Sequence, residues 1–209
     1  MSPVVIKLGG SLLSLPDLAA RFNRVVSRRT DGPFALVVGG GAAADLVREW
    51  DRLHRLGDEA AHQLALCAMR LNSELVAGLF PELRPVTNLR ELSAETNCGR
   101  PVLVDAAAWL TAAEAAGRPA VPRNWDATSD SIAAWLASEL SAAELVLLKS
   151  VPRPDGDVAQ AAADGLVDAW FPSAAAGVPR ISWGNLRSDD CPVEGWILNG
   201  KICDGEHRS

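Results

Sequence analysis

The sequence predicts an α/β fold with a mainly parallel central sheet and helices on both faces. Three observations carry this. Apolar strand patterns alternate with helical ones over short connections, and two strands run straight into glycine clusters, "GGS" at 9–11 and "GGG" at 39–41. Two strand patterns also end in an isolated lysine, Lys7 in "VVIK" and Lys149 in "ELVLLK". Unbroken apolar runs mark strands buried on both faces, and such sheets bind ligands beyond the carboxyl ends of their strands.

Taken in order, "VVIKL" is the first strand, and "SLPDLAARFNRVVSRR" places Leu15, Leu18, Phe22, Val25 and Val26 at helical spacing with Pro16 in the first turn. "PFALVV" is a strand closed by Gly39, Gly40 and Gly41, and "AAADLVREWDRLHRL" is helical. The longest periodic segment, "DEAAHQLALCAMRLNSELVAGLF", sets Leu64, Cys67, Leu71, Leu75 and Leu79 on one face and stops before Pro81. "PVLVDAAAWL" opens with a strand, "DSIAAWLASELSA" is a helix, "ELVLLK" a strand, and "GLVDAWFPSAAAGVPRISW" holds a helix and a late strand. Proline and glycine punctuate the chain evenly, with no linker and no repeat.

Composition narrows the function. With 209 residues, 48% of them hydrophobic, the chain can bury a sizeable core, and no apolar run approaches the roughly 18 residues of a membrane span. The opening "MSPVVIKL" is already strand-like, so no signal peptide is expected and the protein is expected to be cytoplasmic. A net charge of -6 disfavours a nucleic-acid surface; the arginines of "SRRT" and "DRLHR" read as solvated helix faces. Cys67, Cys98, Cys191 and Cys203 show no CxxC spacing, which fits a reduced compartment. Cys191, Cys203 and His207 match no standard metal site, and none is expected.

Of the 20 basic residues only Lys7, Lys149 and Lys201 are lysine. Where arginine serves elsewhere, a retained lysine marks a place for a compact ammonium that a planar fork cannot fill. A snorkelling strand-end lysine explains either residue alone; the pair is better explained by an anionic ligand. Each glycine turn leads into a helical segment, whose first N–H groups and positive dipole end suit a phosphate that glycine lets approach closely. Neither turn is a P-loop or a dinucleotide fingerprint. Two such turns beside a lysine suggest two anions held side by side, as phosphoryl transfer requires. In "NWDATSDSIAAWLA", Asp126, Thr128 and Asp130 precede a helix; they read either as helix caps or, for an acidic residue between two ammonium groups, as a positioning element.

The motifs "VVIKLGGSLL", "ALVVGGG", "TSDSIAAWLA" and "LVLLKSV", in this order, resemble the amino acid kinase superfamily over roughly the first 150 residues. The resemblance implies a three-layer αβα sandwich in one domain over 1–209, with the acceptor-binding part at about 1–140 and the MgATP-binding part at about 141–209. It implies that Lys7 touches the transferred phosphoryl group and that Gly9, Gly10, Ser11 and Ser150 surround the ATP phosphates. By the same likeness Gly39, Gly40, Gly41 and Thr128 bind the acceptor, Asp130 organises the lysines and Lys149 serves the nucleotide side. ATP with Mg2+ carried on it, a small-molecule acceptor and a homo-oligomer are the expected partners, with the long 58–80 helix a candidate for interface or core.

Departures from the family pattern matter as well. The late "GGM" segment with its nucleotide-binding lysine is missing, and Lys201 in "NGKICDG" is a poor substitute, so the ATP half is abbreviated or altered. No histidine follows the glycine triplet, which argues against an isopentenyl phosphate kinase. The stretches "GDEAAHQLALCAMRLN" and "NWDATSDSIA" are similar to the branch of (aminomethyl)furanylmethyl phosphate kinases of methanofuran biosynthesis. That branch implies a phosphate monoester as acceptor, with Asp126 facing its ammonium group or, equally, capping the helix. A carboxylate, carbamate or nucleoside monophosphate acceptor, and a non-catalytic nucleotide or oxyanion binder, stay open. Trp109, Trp125 and Trp135 are expected in the core or as cleft walls, Trp125 beside the acceptor; His54 and His62 read as structural or surface residues. No general base is expected, because a phosphate acceptor is already ionised.

Overall fold

The computed structural model describes residues 2–29, 32–118 and 121–203. His207 lies outside the described residues.

The strands and helices read from the sequence form, together with others that were not, in the order β1 (Val4–Leu8), a 3-10 turn (Gly10–Ser14), α1 (Leu18–Arg29), β2 (Phe34–Val38), α2 (Gly41–His54) and α3 (Asp58–Leu79). Then come β3 (Arg84–Val86), α4 (Leu89–Asn97), β4 (Val102–Val104), α5 (Ala106–Ala115), α6 (Ser129–Glu139) and β5 (Glu144–Lys149). The chain continues through α7 (Val158–Ala163), α8 (Phe171–Ala174), β6 (Arg180–Asn185), β7 (Val193–Leu198) and β8 (Lys201–Ile202). The strands make one eight-stranded sheet in the order β3-β4-β2-β1-β5-β6-β7-β8. Pairing is parallel from β3 through β6 and antiparallel across β7 and β8. The fold class is therefore α/β with a mostly parallel sheet, as the alternating pattern requires.

Strand periodicity of two divides the core between the faces. Val5, Ala35, Val37, Leu145 and Leu147 pack with residues of α5 and α6 in one cluster. Ile6, Leu8, Leu36, Val38 and Leu148 pack with Leu18, Phe22 and Val25 of α1 in the other. In the second cluster Phe22 meets Phe80 at 4.9 Å between ring centres; each such fully buried side chain contributes about 1.5–3 kcal/mol. Trp109 and Trp135 form an edge-to-face pair in the first.

One expectation is corrected, and one left open between interface and core is decided. α1 starts at Leu18 rather than at Leu15, because Leu15 is extended (φ -78°, ψ 122°), the conformation favoured before a proline, and Pro16 stands outside the helix. The first glycine turn thus opens into a 3-10 turn of five residues and not into an α-helix. On α3 the apolar stripe proves to be the outer face: Leu71 is 64% exposed, Leu75 48% and Leu79 43%. The inner face carries smaller or polar residues, among them Ala61, His62, Ala68, Asn72 and Ser73.

Candidate active site

The parallel register places the two lysines together. Lys7 pairs with Leu147 across β1 and β5, and Lys149, two residues further on, emerges on the same face at the end of β5. That face is the one covered by α6, whose first turn carries Asp130. Asp130 Oδ1 lies 2.8 Å from Lys7 Nζ, and its Oδ2 accepts a hydrogen bond of 2.6 Å from Lys149 Nζ. Lys149 also donates to the Leu166 carbonyl at 2.8 Å and stands 5.4 Å from the centre of the Trp183 ring. Lys7 and Asp130 are buried, at 4% and 6% exposure. Burial alone pushes the Asp130 carboxyl up, yet Lys149 and Lys7 more than offset it and hold it at about 2. Burial lowers the Lys149 ammonium from its ordinary value, with Asp130 acting against that and Lys7 with it. One carboxylate between two ammonium groups leaves a buried surplus of positive charge, which an anion would complete.

The glycine turns are packed against each other. A Cβ on Gly10 would lie 2.2 Å from the Gly41 amide nitrogen, and Gly41 itself has φ +47°. Gly9 donates to the Leu148 carbonyl at 2.8 Å, and a Cβ on Gly39 would meet Ser129 Oγ at 2.9 Å and Lys7 Cε at 3.3 Å. These close approaches, not anion binding alone, demand glycine here. The second turn is held from α3 by Asn72, whose amide donates to the carbonyls of Gly39 and Gly40 at 2.7 and 2.8 Å.

Two cavities adjoin at this point. The larger is open and lined by Lys7, Gly9, Gly10, Ser11, Lys149 and Ser150 with Asp130 and Asp168. Ser11 Oγ donates to Ser150 Oγ at 3.1 Å. The smaller runs between α2, α3 and the segment before α6, past Gly40, Met69, His62 and Trp125. Gly41, Arg48, Trp125, Thr128 and Ser129 line both. Trp125 is fixed as a wall by its indole N–H, which donates to Asp51 at 2.9 Å, and by the Arg48 guanidinium 4.6 Å above its ring.

Most sequence-predicted residues converge here. Lys7, Asp130, Lys149, Gly9, Gly10, Ser11 and Ser150 share the larger cavity, while Gly40, Gly41 and Thr128 line the smaller. Gly39 sits behind the turn under Asn72. Asp126 stands apart: it is exposed, accepts from the Asn124 amide at 3.0 Å and lines neither cavity. Its backbone carbonyl accepts from Trp170 at 2.8 Å. Sequence reasoning missed Asn72, Arg48, His62 and Asp168. Asp168 accepts from the backbone N–H and hydroxyl of Thr128 at 2.9 and 2.8 Å, from the Ser131 N–H at 3.1 Å, and from the Ser131 hydroxyl. It thereby caps α6 from 40 residues away in sequence, a pairing with no local signal. Asn72 and His62 carried half of one: polar residues on the inner face of a helix need a buried partner or a ligand, but the sequence left open which face of α3 is inner.

The model of the amino acid kinase family matches residues 2–153, which hold both lysines, both glycine turns and Asp130. The chain belongs to the amino acid kinase family. As a member it is a phosphotransferase acting on a small molecule. Among solved structures it is similar to the uridylate kinase of Archaeoglobus fulgidus, at 18% identity and a TM-score of 0.61 over 85% of this chain and 88% of that one. The UMP kinase of Bacillus anthracis is similar at 14% identity and 0.61, over 90% of this chain and 88% of that one. The aspartate kinase of Synechocystis gives 14% identity and 0.64 over 99% of this chain but 41% of its own. At these identities the likeness is one of fold. No curated protein matches the chain.

Proposed function

We propose that this amino acid kinase family member transfers the γ-phosphoryl group of MgATP to a small phosphate monoester such as (aminomethyl)furanylmethyl phosphate, giving a diphosphate. The observation that carries the reading is Asp130 bridging Lys7 and Lys149 in the larger of two adjoining glycine-lined cavities, next in the chain to Thr128 and Ser129, which line both. The larger cavity, closed in part by residues from about 141 onward, takes the nucleotide; the smaller, built within about 1–140, takes the acceptor. An acceptor phosphate oxygen forms the new bond to phosphorus as the bond to the ADP oxygen breaks and ADP leaves with that electron pair. No proton needs moving, since the acceptor is ionised. Lys7 and Lys149 counter charge on the transferred group, Asp130 fixes both ammonium groups, and the backbone around Gly9, Gly10 and Gly41 orients the two phosphates.

The residues suit a nucleotide phosphate chain. The glycine turns leave backbone close to the larger cavity where side chains would fill it, and the lysine pair supplies uncompensated positive charge. Asp130 and Asp168, the carboxylates of this cavity, are engaged by the protein. Mg2+ would therefore be carried on the phosphates, where it neutralises charge.

A carboxylate acceptor is the second reading, favoured by Arg48, whose guanidinium lines both cavities. ADP release from MgATP separates the two. Turnover with (aminomethyl)furanylmethyl phosphate in a panel with UMP, acetylglutamate and isopentenyl phosphate is the expected result. Turnover of acetylglutamate alone selects the second reading, and ATP binding with no turnover of any acceptor refutes the first.

The outer stripe of α3 together with exposed Leu46, Trp50 and Leu53 of α2 supports a homo-oligomer built on these helices. Leu71→Glu with Leu75→Glu is expected to lower the mass in multi-angle light scattering to that of one chain. A wild-type protein that is already a monomer at micromolar concentration overturns this.

A further inference from the structure

The α3 helix walls the whole length of the smaller cavity. Asp58, Ala61, His62, Ala65, Leu66 and Met69 line it, a stripe repeating every three to four residues. One turn beyond Met69, Asn72 holds the carbonyls of Gly39 and Gly40, so the glycine turn marks one end. His62 precedes Asn72 by ten residues, about 15 Å of helix axis, and so stands at the other end.

His62 is 9% exposed, and among the described residues its imidazole has no hydrogen-bond partner. Three other polar side chains along this cavity are engaged by the protein: Arg48 donates to Asp45, Trp125 to Asp51 and Thr128 to Asp168. An imidazole that faces a cavity without a protein partner leaves its nitrogens to water or to a ligand.

We infer that His62 is a specificity-determining residue that accepts a hydrogen bond from an amine or hydroxyl on the acceptor, at the end remote from the phosphate. This rests on the reading of the smaller cavity as the acceptor site. Trp125, Ala61 and Ala65 also line this cavity, so an aromatic ring and short apolar side chains border the body of the ligand between phosphate and donor group.

Burial first, and then the Arg123 guanidinium, hold the His62 imidazolium below its ordinary pKa; Glu59 on α3 and Glu114 on α5 act in the opposite sense. Both carboxylates are bound to Arg123, at 2.8 and 2.6 Å. Asp58 on α3 and Asp45 and Arg48 on α2 complete the charged groups around the cavity. The imidazole at neutral pH thus keeps one nitrogen free to accept. Asp58, one turn before His62, lines the same end and adds a second acceptor, which suits a donor group on the ligand and not a second anion.

The test uses the full chain and the four panel compounds. Long-range 1H–15N spectra of the imidazoles are recorded with each compound at saturating concentration, and the kinetics of His62→Phe and His62→Gln are compared with wild type. The expected result is a selective shift of the His62 nitrogens with the compound that turns over. His62→Phe should raise the acceptor KM about 10- to 100-fold with the ATP KM unmoved and kcat far less affected, and His62→Gln, whose amide oxygen accepts, should recover part of it. An unchanged acceptor KM in a folded His62→Phe variant overturns the inference while leaving the kinase reading intact. A panel in which no compound shifts the His62 nitrogens overturns it as well. Absence of Lys7-dependent turnover with any compound is the separate failure of the kinase reading. Should His62→Phe not fold, the wild-type spectra and His62→Gln decide.

Discussion

Lys7→Ala is expected to lower kcat for phosphoryl transfer about 100- to 1000-fold while the KM for ATP moves much less, measured by ADP release at saturating acceptor. The ammonium is buried, 2.8 Å from Asp130, and lines the larger cavity. Charge placed there in advance acts on the transferred group as it loosens from ADP, with little reorganisation to be spent at that moment. Lys7→Arg is expected to fail as well. Gly39 packs so closely on the lysine stem that even a methyl group there would stand 3.3 Å from Cε, leaving no room for a planar guanidinium. Asp130 keeps Lys149 in Lys7→Ala, so that variant stays folded, whereas the crowded Lys7→Arg is expected to melt below wild type. A Lys7→Ala protein with kcat within threefold of wild type removes Lys7 from the chemistry.

The two strand-end lysines were legible in the sequence because an arginine-rich chain makes a retained lysine conspicuous, and because strand ends of a parallel sheet are where ligands bind. Their distance from each other was not legible: it follows from β1 and β5 being neighbours, a pairing across some 140 residues that no local pattern encodes. The glycine turns were found for a reason that is only half of the physical one. Gly10 and Gly41 contact each other, so their lack of side chains also lets two turns pack together. Periodicity located α3 within a residue at each end, yet left open which face is inside. Leucine spacing marks a stripe, and here the sheet and the glycine turn require the small and polar side of the helix while the leucines face outward. His62 fell on that inner side and was read as structural because a lone histidine on a helix has no spacing to betray a cavity. β3 and α4 went unread, since a three-residue strand with a proline in it, "RPV", carries almost no alternation.

Asp130→Asn is the variant with the largest expected effect on the folded state. The carboxylate is the shared partner of two buried ammonium groups, and removing one member of a buried ion pair costs about 3–5 kcal/mol because the other charge stays behind. The pH dependence gives the sign. Asp130 is held at about 2, below its ordinary 3.8, so its contribution to stability is fully present above pH 4 and fades as the pH falls towards 2. The variant should accordingly be less stable than wild type throughout the neutral range, and the gap should close in acid as the wild-type carboxyl takes up its proton. On the alkaline side, burial already lowers the Lys149 ammonium, and Asp130 is the group that resists it. Without that carboxylate Lys149 deprotonates earlier, and any remaining activity loses its alkaline limb at lower pH than wild type. The lysine pair is then an anion site with nothing in it, so inorganic phosphate should raise the melting temperature of Asp130→Asn more than that of wild type. Thermal melts in phosphate at pH 7 and pH 3 test the stability and anion-site predictions with no acceptor needed, and a pH–rate profile of ADP release tests the alkaline limb. A variant as stable as wild type at pH 7, and indifferent to phosphate, would show that the bridge does not organise the lysines.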